Sequence, residues 1–184
     1  MHKVTKSGLR ILLRTMTISD EPLLATFMAS LSQESLYFKL FRHARLDDEF
    51  LHRLATVDPT KQAAVVALIG DEGNEQIVGV GRYYANDDQR SAEIVLTVRD
   101  DYHNLGIGRE LISYLTLAAK KQGLSGFTAK VLVDNHAMLH LFRSFEKKAF
   151  DIKREIDAGV FYLDLAFRGG GPSQSGMTGC ISSD

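Results

Sequence analysis

The feature that most constrains this chain is the run Val98-Arg99-Asp100-Asp101-Tyr102-His103-Asn104-Leu105-Gly106-Ile107-Gly108-Arg109. An apolar, strand-like segment from Ile94 to Val98 leads into it. Ile107, Leu111, Tyr114, Leu115 and Ala118 lead out of it at helical spacings of three and four. The pattern predicts strand, short loop and helix, with Gly106 and Gly108 where the loop becomes the first helical turn. Lacking Cβ atoms, these glycines let a ligand reach the backbone. The first amides of a helix have no intrahelical acceptor and sit at the positive end of its dipole, an arrangement suited to a pyrophosphate. Two phosphate-binding patterns fail here. The dinucleotide fingerprint needs a small residue where Leu111 stands, and the nucleotide P-loop needs Gly-Lys-Ser/Thr where Gly108-Arg109-Glu110 stands. On the loop alone, a glycine-softened turn without a ligand is the other reading.

The elements around this run follow from periodicity and turn residues. Gly8 to Met16 alternates as a first strand, with Leu9, Ile11 and Leu13 on one face. Thr17 to Asp20 and Pro22 mark the start of a helix over 21–31. A second helix is expected over 33–41, where Tyr37, Phe38 and Phe41 either line a groove or anchor the core. A third spans 46–57, with Asp47, Asp48 and Glu49 at its front as the dipole prefers. Segments 62–69, 76–84 and 89–98 then read as an antiparallel meander. The central helix ends near Gln122 with Gly123 as its C-cap. A strand over 126–133 follows, and Asn135 caps a helix whose apolar face is Met138, Leu141, Phe142 and Phe145. Segments 150–155 and 160–167 form a terminal hairpin across Asp157-Ala158-Gly159. The class is α+β, a mixed and mostly antiparallel sheet flanked by helices, with a place for parallel strands beside the central loop. Residues 1–167 form one domain, and 168–184 read as a flexible Gly/Ser-rich tail.

At 184 residues and 45% hydrophobic, the chain can bury a sizeable core. A net charge of −1 gives no electrostatic case for nucleic acid or a membrane surface. The single cysteine, Cys180, excludes an internal disulfide and points to a reducing cytoplasm. Residues 1–14 are too polar for a signal peptide, and no apolar run approaches a membrane span. His136 and His140 are four apart but lack an acidic or cysteine partner, so no metal is expected. Glu93 is the one acid in Ala92-Glu93-Ile94-Val95-Leu96-Thr97-Val98. Among such neighbours it is either partly desolvated and suited to general-base work, or a surface-facing strand residue paired with Arg82 or Arg90.

The run His103-Asn104-Leu105-Gly106-Ile107-Gly108 resembles the acyl-CoA loop of the GNAT superfamily of N-acetyltransferases: Arg or Gln, two residues, Gly, one residue, then Gly or Ala. His103 replaces the usual Gln or Arg. The element order from Leu9 to Phe167 is similar to the GNAT fold. The resemblance implies that the strands ending at Val98 and Val133 splay into a cleft for acetyl-CoA, the co-substrate. It assigns the loop from His103 through Asn104, Leu105, Gly106, Ile107, Gly108 and Arg109 to that ligand. It also implies backbone pairing near Leu96 and Val98 with the pantetheine arm, and a contact from Asn135, whose plainer role is the helix cap. Glu93 matches the acid that serves as general base. Phe142 stands where a general-acid tyrosine is usual, which leaves water, Tyr102 or Tyr83. Segments 34–41, Val57-Asp58, 78–83 and Ala92-Glu93 are similar to bacterial protein-lysine acetyltransferase domains, including those that act on acyl-CoA synthetases. The implied activity is acetyl transfer to a primary amine, protein lysine or small molecule, directly within a ternary complex, with a homodimer as one assembly to expect. A non-catalytic acyl-CoA sensor or regulatory module is the alternative.

Overall fold

The computed structural model describes residues 1–40, 47–88 and 90–169, without the side chains of 37–40. Its strands are β1 (His2–Val4), β2 (Arg10–Thr15), β3 (Gln62–Ile69), β4 (Gln76–Ala85), β5 (Ser91–Val98), β6 (Gly126–Leu132), β7 (Phe150–Asp157) and β8 (Val160–Phe167). Its α-helices are α1 (Glu21–Ala29), α2 (Gln33–Leu40), α3 (Asp48–Ala55), α4 (Ile107–Lys121) and α5 (His136–Arg143). The strands form one sheet in the order β1-β2-β3-β4-β5-β6-β8-β7. Neighbours are antiparallel throughout, except β5 and β6, which run parallel.

The continuous apolar run in β3 follows from its central position. Val65 and Ala67 turn to one face, against Ile107, Leu111 and Leu115 of α4. Ala64, Val66 and Leu68 turn to the other, against Leu24, Phe27 and Met28 of α1 and Leu51 of α3. A strand buried on both sides has no polar face to alternate with. Strands β6 and β8 alternate because only one side is covered there. Phe127, Ala129, Val131, Leu163 and Leu165 point into the α4 core, while Lys130, Tyr162 and Asp164 are exposed. Phe127 centres an aromatic cluster with Phe167 at 4.9 Å, Tyr83 at 5.8 Å and Phe150 at 6.4 Å between centroids. These rings bind β4, β6, β7 and β8 beneath the single parallel junction.

The α+β class, the meander and the terminal hairpin stand as read from the sequence. Strand β1 was not expected. His-Lys-Val is too short and polar to carry a period, and it is held by pairing with β2 across the turn at Thr5–Leu9. The helix expected over 46–57 is shorter, because Asp47 caps it by accepting from the Phe50 amide. Phe145 lies beyond α5, whose C-cap is Ser144. The groove expected from Tyr37, Phe38 and Phe41, and the tail from residue 170 with Cys180, lie outside the described residues. No helix among the described residues is long and apolar enough to cross a membrane.

Candidate active site

Strands β5 and β6 are joined by three pairs only: Ser91 with Gly126, Ala92 with Phe127 and Glu93 with Thr128. Beyond Glu93 they part, while β5 remains paired with β4 as far as Val98. The Ser91 carbonyl accepts from Asn86, and the Arg99 amide donates to Val78. Odd-numbered residues of β5 therefore bond to β4, and in an antiparallel ladder the alternate residues present their N–H and C=O on the opposite edge. Those residues are Ile94, Leu96 and Val98, so the expected pairing edge at Leu96 and Val98 faces the gap. The gap forms a cleft of about 680 Å³.

The loop from His103 to Gly106 closes the wide end of this cleft. Asn104 and Gly106 both have left-handed backbones, φ 61° and 89°. Left-handed residues in a tight turn gather successive amides into an anion-binding concavity. Glu110 donates to the Gly106 carbonyl as the first turn of α4 closes, which leaves the amides of Ile107, Gly108 and Arg109 ahead of the helical ladder. Gly108 has a further reason to be glycine. A Cβ there would lie 2.8 Å from Leu141 Cδ2, so its small size also lets α5 approach α4.

The side chains of the loop turn back on the fold. His103 Nε2 donates to the Val98 carbonyl at 2.9 Å, occupying one of the edge acceptors expected for a ligand. The Arg109 guanidinium donates to Ser144 Oγ at 2.8 Å and lies 5.0 Å from the centre of the Phe145 ring. Asn135 caps α5, its Oδ1 accepting from the Met138 amide, and it also lines the cleft. Phe142 lines the cleft and is 3% exposed, so no hydroxyl is offered at that position. Of the two tyrosines considered as its substitute, Tyr102 reaches the cleft and packs beneath Arg99. Tyr83 is buried on the α4 side against Phe127, and burial pushes its phenol above the usual range.

Glu93 sits at the narrow end, on the last rung before the strands part. Its ionic partner is neither Arg82 nor Arg90 but Lys130, with Nζ 3.4 Å from Glu93 Oε1. About a third of its side chain stays exposed and the rest is covered. Strand alternation sends Ala92, Ile94 and Leu96 to the α4 core and Glu93, Val95 and Thr97 to the face carrying α1 and α3.

Several lining residues had no local signal in the sequence. Lys6 and Ser7, in the turn between β1 and β2, reach the loop, where Ser7 Oγ donates to the Leu105 carbonyl at 2.9 Å. Ser35 enters from α2. Asp100 ties that helix to the loop by accepting from the Ser32 amide at 2.9 Å and from the Ser32 and Ser35 hydroxyls at 2.7 Å each. Burial pushes the Asp100 carboxyl up, but these hydrogen bonds outweigh it and hold the group at about 2.

A long cleft, an unpaired strand edge and a cradle of free amides at one end suit an extended, phosphate-bearing acyl carrier. A family model described as the acetyltransferase (GNAT) family matches residues 27–146. An acetyltransferase of Pseudomonas aeruginosa is 27% identical over 135 residues, 73% of each chain. Acetyltransferase Pat of Mycolicibacterium smegmatis is 47% identical over 47 residues, 26% of this chain and 14% of that protein. Among solved structures, the GNAT domain of S. lividans PAT matches with a TM-score of 0.81 at 24% identity, over 91% of this chain and 96% of that one. A cAMP-binding acyltransferase from Mycobacterium smegmatis matches with a TM-score of 0.62 at 23% identity, over 90% of this chain and 46% of that one. The two structural likenesses concern the fold, and the family model spans the loop, Glu93 and both strands that part to form the cleft. The chain belongs to the acetyltransferase (GNAT) family, whose chemistry is acyl-CoA-dependent acetyl transfer.

Proposed function

We propose that this protein transfers an acetyl group from acetyl-CoA to a primary amine, directly within a ternary complex, with Glu93 as general base. The observation that carries this reading is the position of Glu93 on the last rung before β5 and β6 part. The thioester supplies an activated acetyl group. The amides of Ile107, Gly108 and Arg109, with the turn at Asn104–Gly106, hold the phosphates, and Lys6 adds a cation at the same mouth. The edge groups of Leu96 and the Val98 amide align the arm as an added strand, with the Val98 carbonyl already held by His103, over about 17 Å from Val98 to Glu93 at 3.3–3.4 Å per residue. Asn135 contacts the arm from the facing helix.

An ammonium group is not a nucleophile. Glu93, open to the α1–α3 face, takes its proton directly or through water. The freed nitrogen then attacks the acetyl carbon, the new amide nitrogen releases its second proton to water as the carbon–sulfur bond breaks, and the thiolate takes a proton from solvent. Solvent suffices as that donor because a thiol, with a pKa of about 8.5, leaves readily.

Phe142 in the cleft wall favours a second reading, an acyl-CoA sensor without turnover. Calorimetry with acetyl-CoA, and a thiol-release assay with primary amines and lysine peptides, separate the two. On the enzyme reading, Glu93→Gln lowers kcat by about 100-fold or more and leaves acetyl-CoA affinity within about twofold. Acetyl-CoA binding without turnover of any amine would support the sensor. An E93Q variant as active as the parent would overturn the assignment of the base.

A further inference from the structure

On the face of the sheet that carries Glu93 there is a second, smaller pocket of about 200 Å³, walled by Met16, Leu54, Tyr84 and Val95. Val95 and Thr97 line both this pocket and the long cleft, so the two adjoin across β5. Arg82 and Thr97 also face the smaller pocket. Arg82 is 5% exposed. Its guanidinium donates to the Leu54 carbonyl, to Met16 Sδ and Tyr84 Oη at 3.3 Å each, and to Gln62 Oε1 at 3.4 Å. Each of these acceptors is neutral. Arg82 has no carboxylate partner among the described residues, and residues 37–46 contain no acid. The Thr97 hydroxyl is buried in the same wall without a hydrogen-bond partner.

A buried cation without a counter-ion and a buried hydroxyl without a partner are both costly in an apolar pocket, unless something that binds there satisfies them. A ligand that satisfies both carries an anion. We infer that this pocket is the acceptor subsite, and that Arg82 and Thr97 receive a carboxylate of the amine substrate. The inference rests on the acetyltransferase reading and narrows its acceptor.

Register sets the spacing. Tyr84 pairs with Glu93, and Arg82 pairs with Val95 one step along the same face. Two residues of strand, about 6–7 Å of backbone, separate Glu93 from Val95 opposite Arg82, which sets the scale of the span between the base and the anion seat. The pocket has room for about seven water-sized groups at roughly 30 Å³ each. The class that fits is a short ω-amino carboxylate, its amine at Glu93 and its carboxylate on Arg82. The apolar walls at Met16, Leu54 and Val95 cover the methylenes between. An ammonium group directed at Arg82 would be repelled, so the pocket accepts one orientation.

The test compares 5-aminopentanoate, n-pentylamine and a lysine peptide as acceptors, in the parent protein and in Arg82→Met and Thr97→Val. The expected result is a kcat/KM for 5-aminopentanoate about 10–100-fold above that for n-pentylamine, as for a hydrogen-bonded charge pair. In R82M that preference falls below about threefold, through KM, with acetyl-CoA affinity retained as the sign of an intact fold. T97V weakens the preference by a smaller factor and serves if R82M does not fold. Equal use of n-pentylamine, a preference that survives R82M, or faster acetylation of the lysine peptide would overturn the inference. If acetyl-CoA binds but no amine is acetylated, the activity reading fails. Calorimetric titration of 5-aminopentanoate into the CoA-saturated protein then decides the pocket by itself, and absence of binding there would overturn it.

Discussion

Lys130 reaches back across the gap between the parted strands to within 3.4 Å of Glu93. Its residue lies two beyond the last rung of β6, so, in the proposed mechanism, its ammonium would stand where the acceptor's ammonium arrives. With Glu93 as base, the two cations compete. Lys130→Met is expected to lower KM for the amine by about two- to fivefold with kcat within about twofold, the size of one partly exposed ion pair. The gain should fade in 1 M salt, where the screening length is about 3 Å. A rise in KM would make Lys130 a positioning group instead.

Gly108 and Leu141 are coupled. A Cβ on residue 108 would lie 2.8 Å from Leu141 Cδ2, the movable end of a side chain. Gly108→Ala is therefore expected to fold, with a weakened α4–α5 contact and acetyl-CoA affinity down by about tenfold, since both helices border the cleft. Leu141→Ala removes the obstruction, so the double variant should be less impaired than the sum of the single variants by about 1 kcal/mol. Strict additivity in melting and calorimetry would show that glycine is required at 108 by the ligand alone.

Asp100 makes the anchorage of α2 sensitive to acid. Burial pushes its carboxyl up, but hydrogen bonds from Ser32 and Ser35 hold it at about 2, against 3.8 for the free group. A depressed folded value means the unfolded chain takes the proton first. The stabilisation is complete above pH 3.8 and is lost as pH falls from there through about 2. Asp20 acts in the same direction: its burial raises the carboxyl, and hydrogen bonds from Arg14 and Thr17 bring it below the usual range. Asp100→Ala should lower Tm at neutral pH by about 4–8 °C, for roughly 2 kcal/mol of charged hydrogen bonding. The gap to the parent protein should shrink toward pH 2. A gap independent of pH would show that the carboxylate charge contributes nothing.

Phe127 joins the core to the parallel junction: it is fully buried and pairs with Ala92 in the middle of the three rungs. Phe127→Ala should cost about 3–5 kcal/mol, as for truncation of a buried aromatic ring. Phe127→Leu, which keeps much of the volume, should cost less. Denaturant midpoints measure both, and an alanine cost below about 1 kcal/mol would contradict the role of this cluster.

Local pattern carried much of the architecture into view. Helix α4 repeats its apolar residues over four turns, β3 is apolar throughout, and β8 alternates, so each announces its environment. The loop was legible because its two glycines follow a strand and open a helix. Relations between distant segments were not. Asp100 and Ser32 lie 68 residues apart, and nothing near either one names the other. Glu93 meets Lys130 because the parallel register of β5 and β6 brings them together, and register across a long crossover leaves no trace in local periodicity. Arg82 was an expected partner for Glu93 from its neighbouring strand, but its guanidinium turns under α3 to the Leu54 carbonyl. Its lack of a counter-ion is visible only once its surroundings are assembled.

The three-rung junction has a consequence for how long this protein survives. The sheet is two blocks, β1–β5 and β6–β8, sharing a short seam whose edges stand open along the rest of β5. In the proposed binding mode, an acyl donor lying along that edge would act as a temporary ninth strand that fastens one block to the other. At a concentration one hundred times its dissociation constant, such a ligand adds about 2.7 kcal/mol to the folded state. Resistance to heat and proteolysis would then track the supply of acyl donor, and a starved cell would hold a looser and shorter-lived form of the same chain.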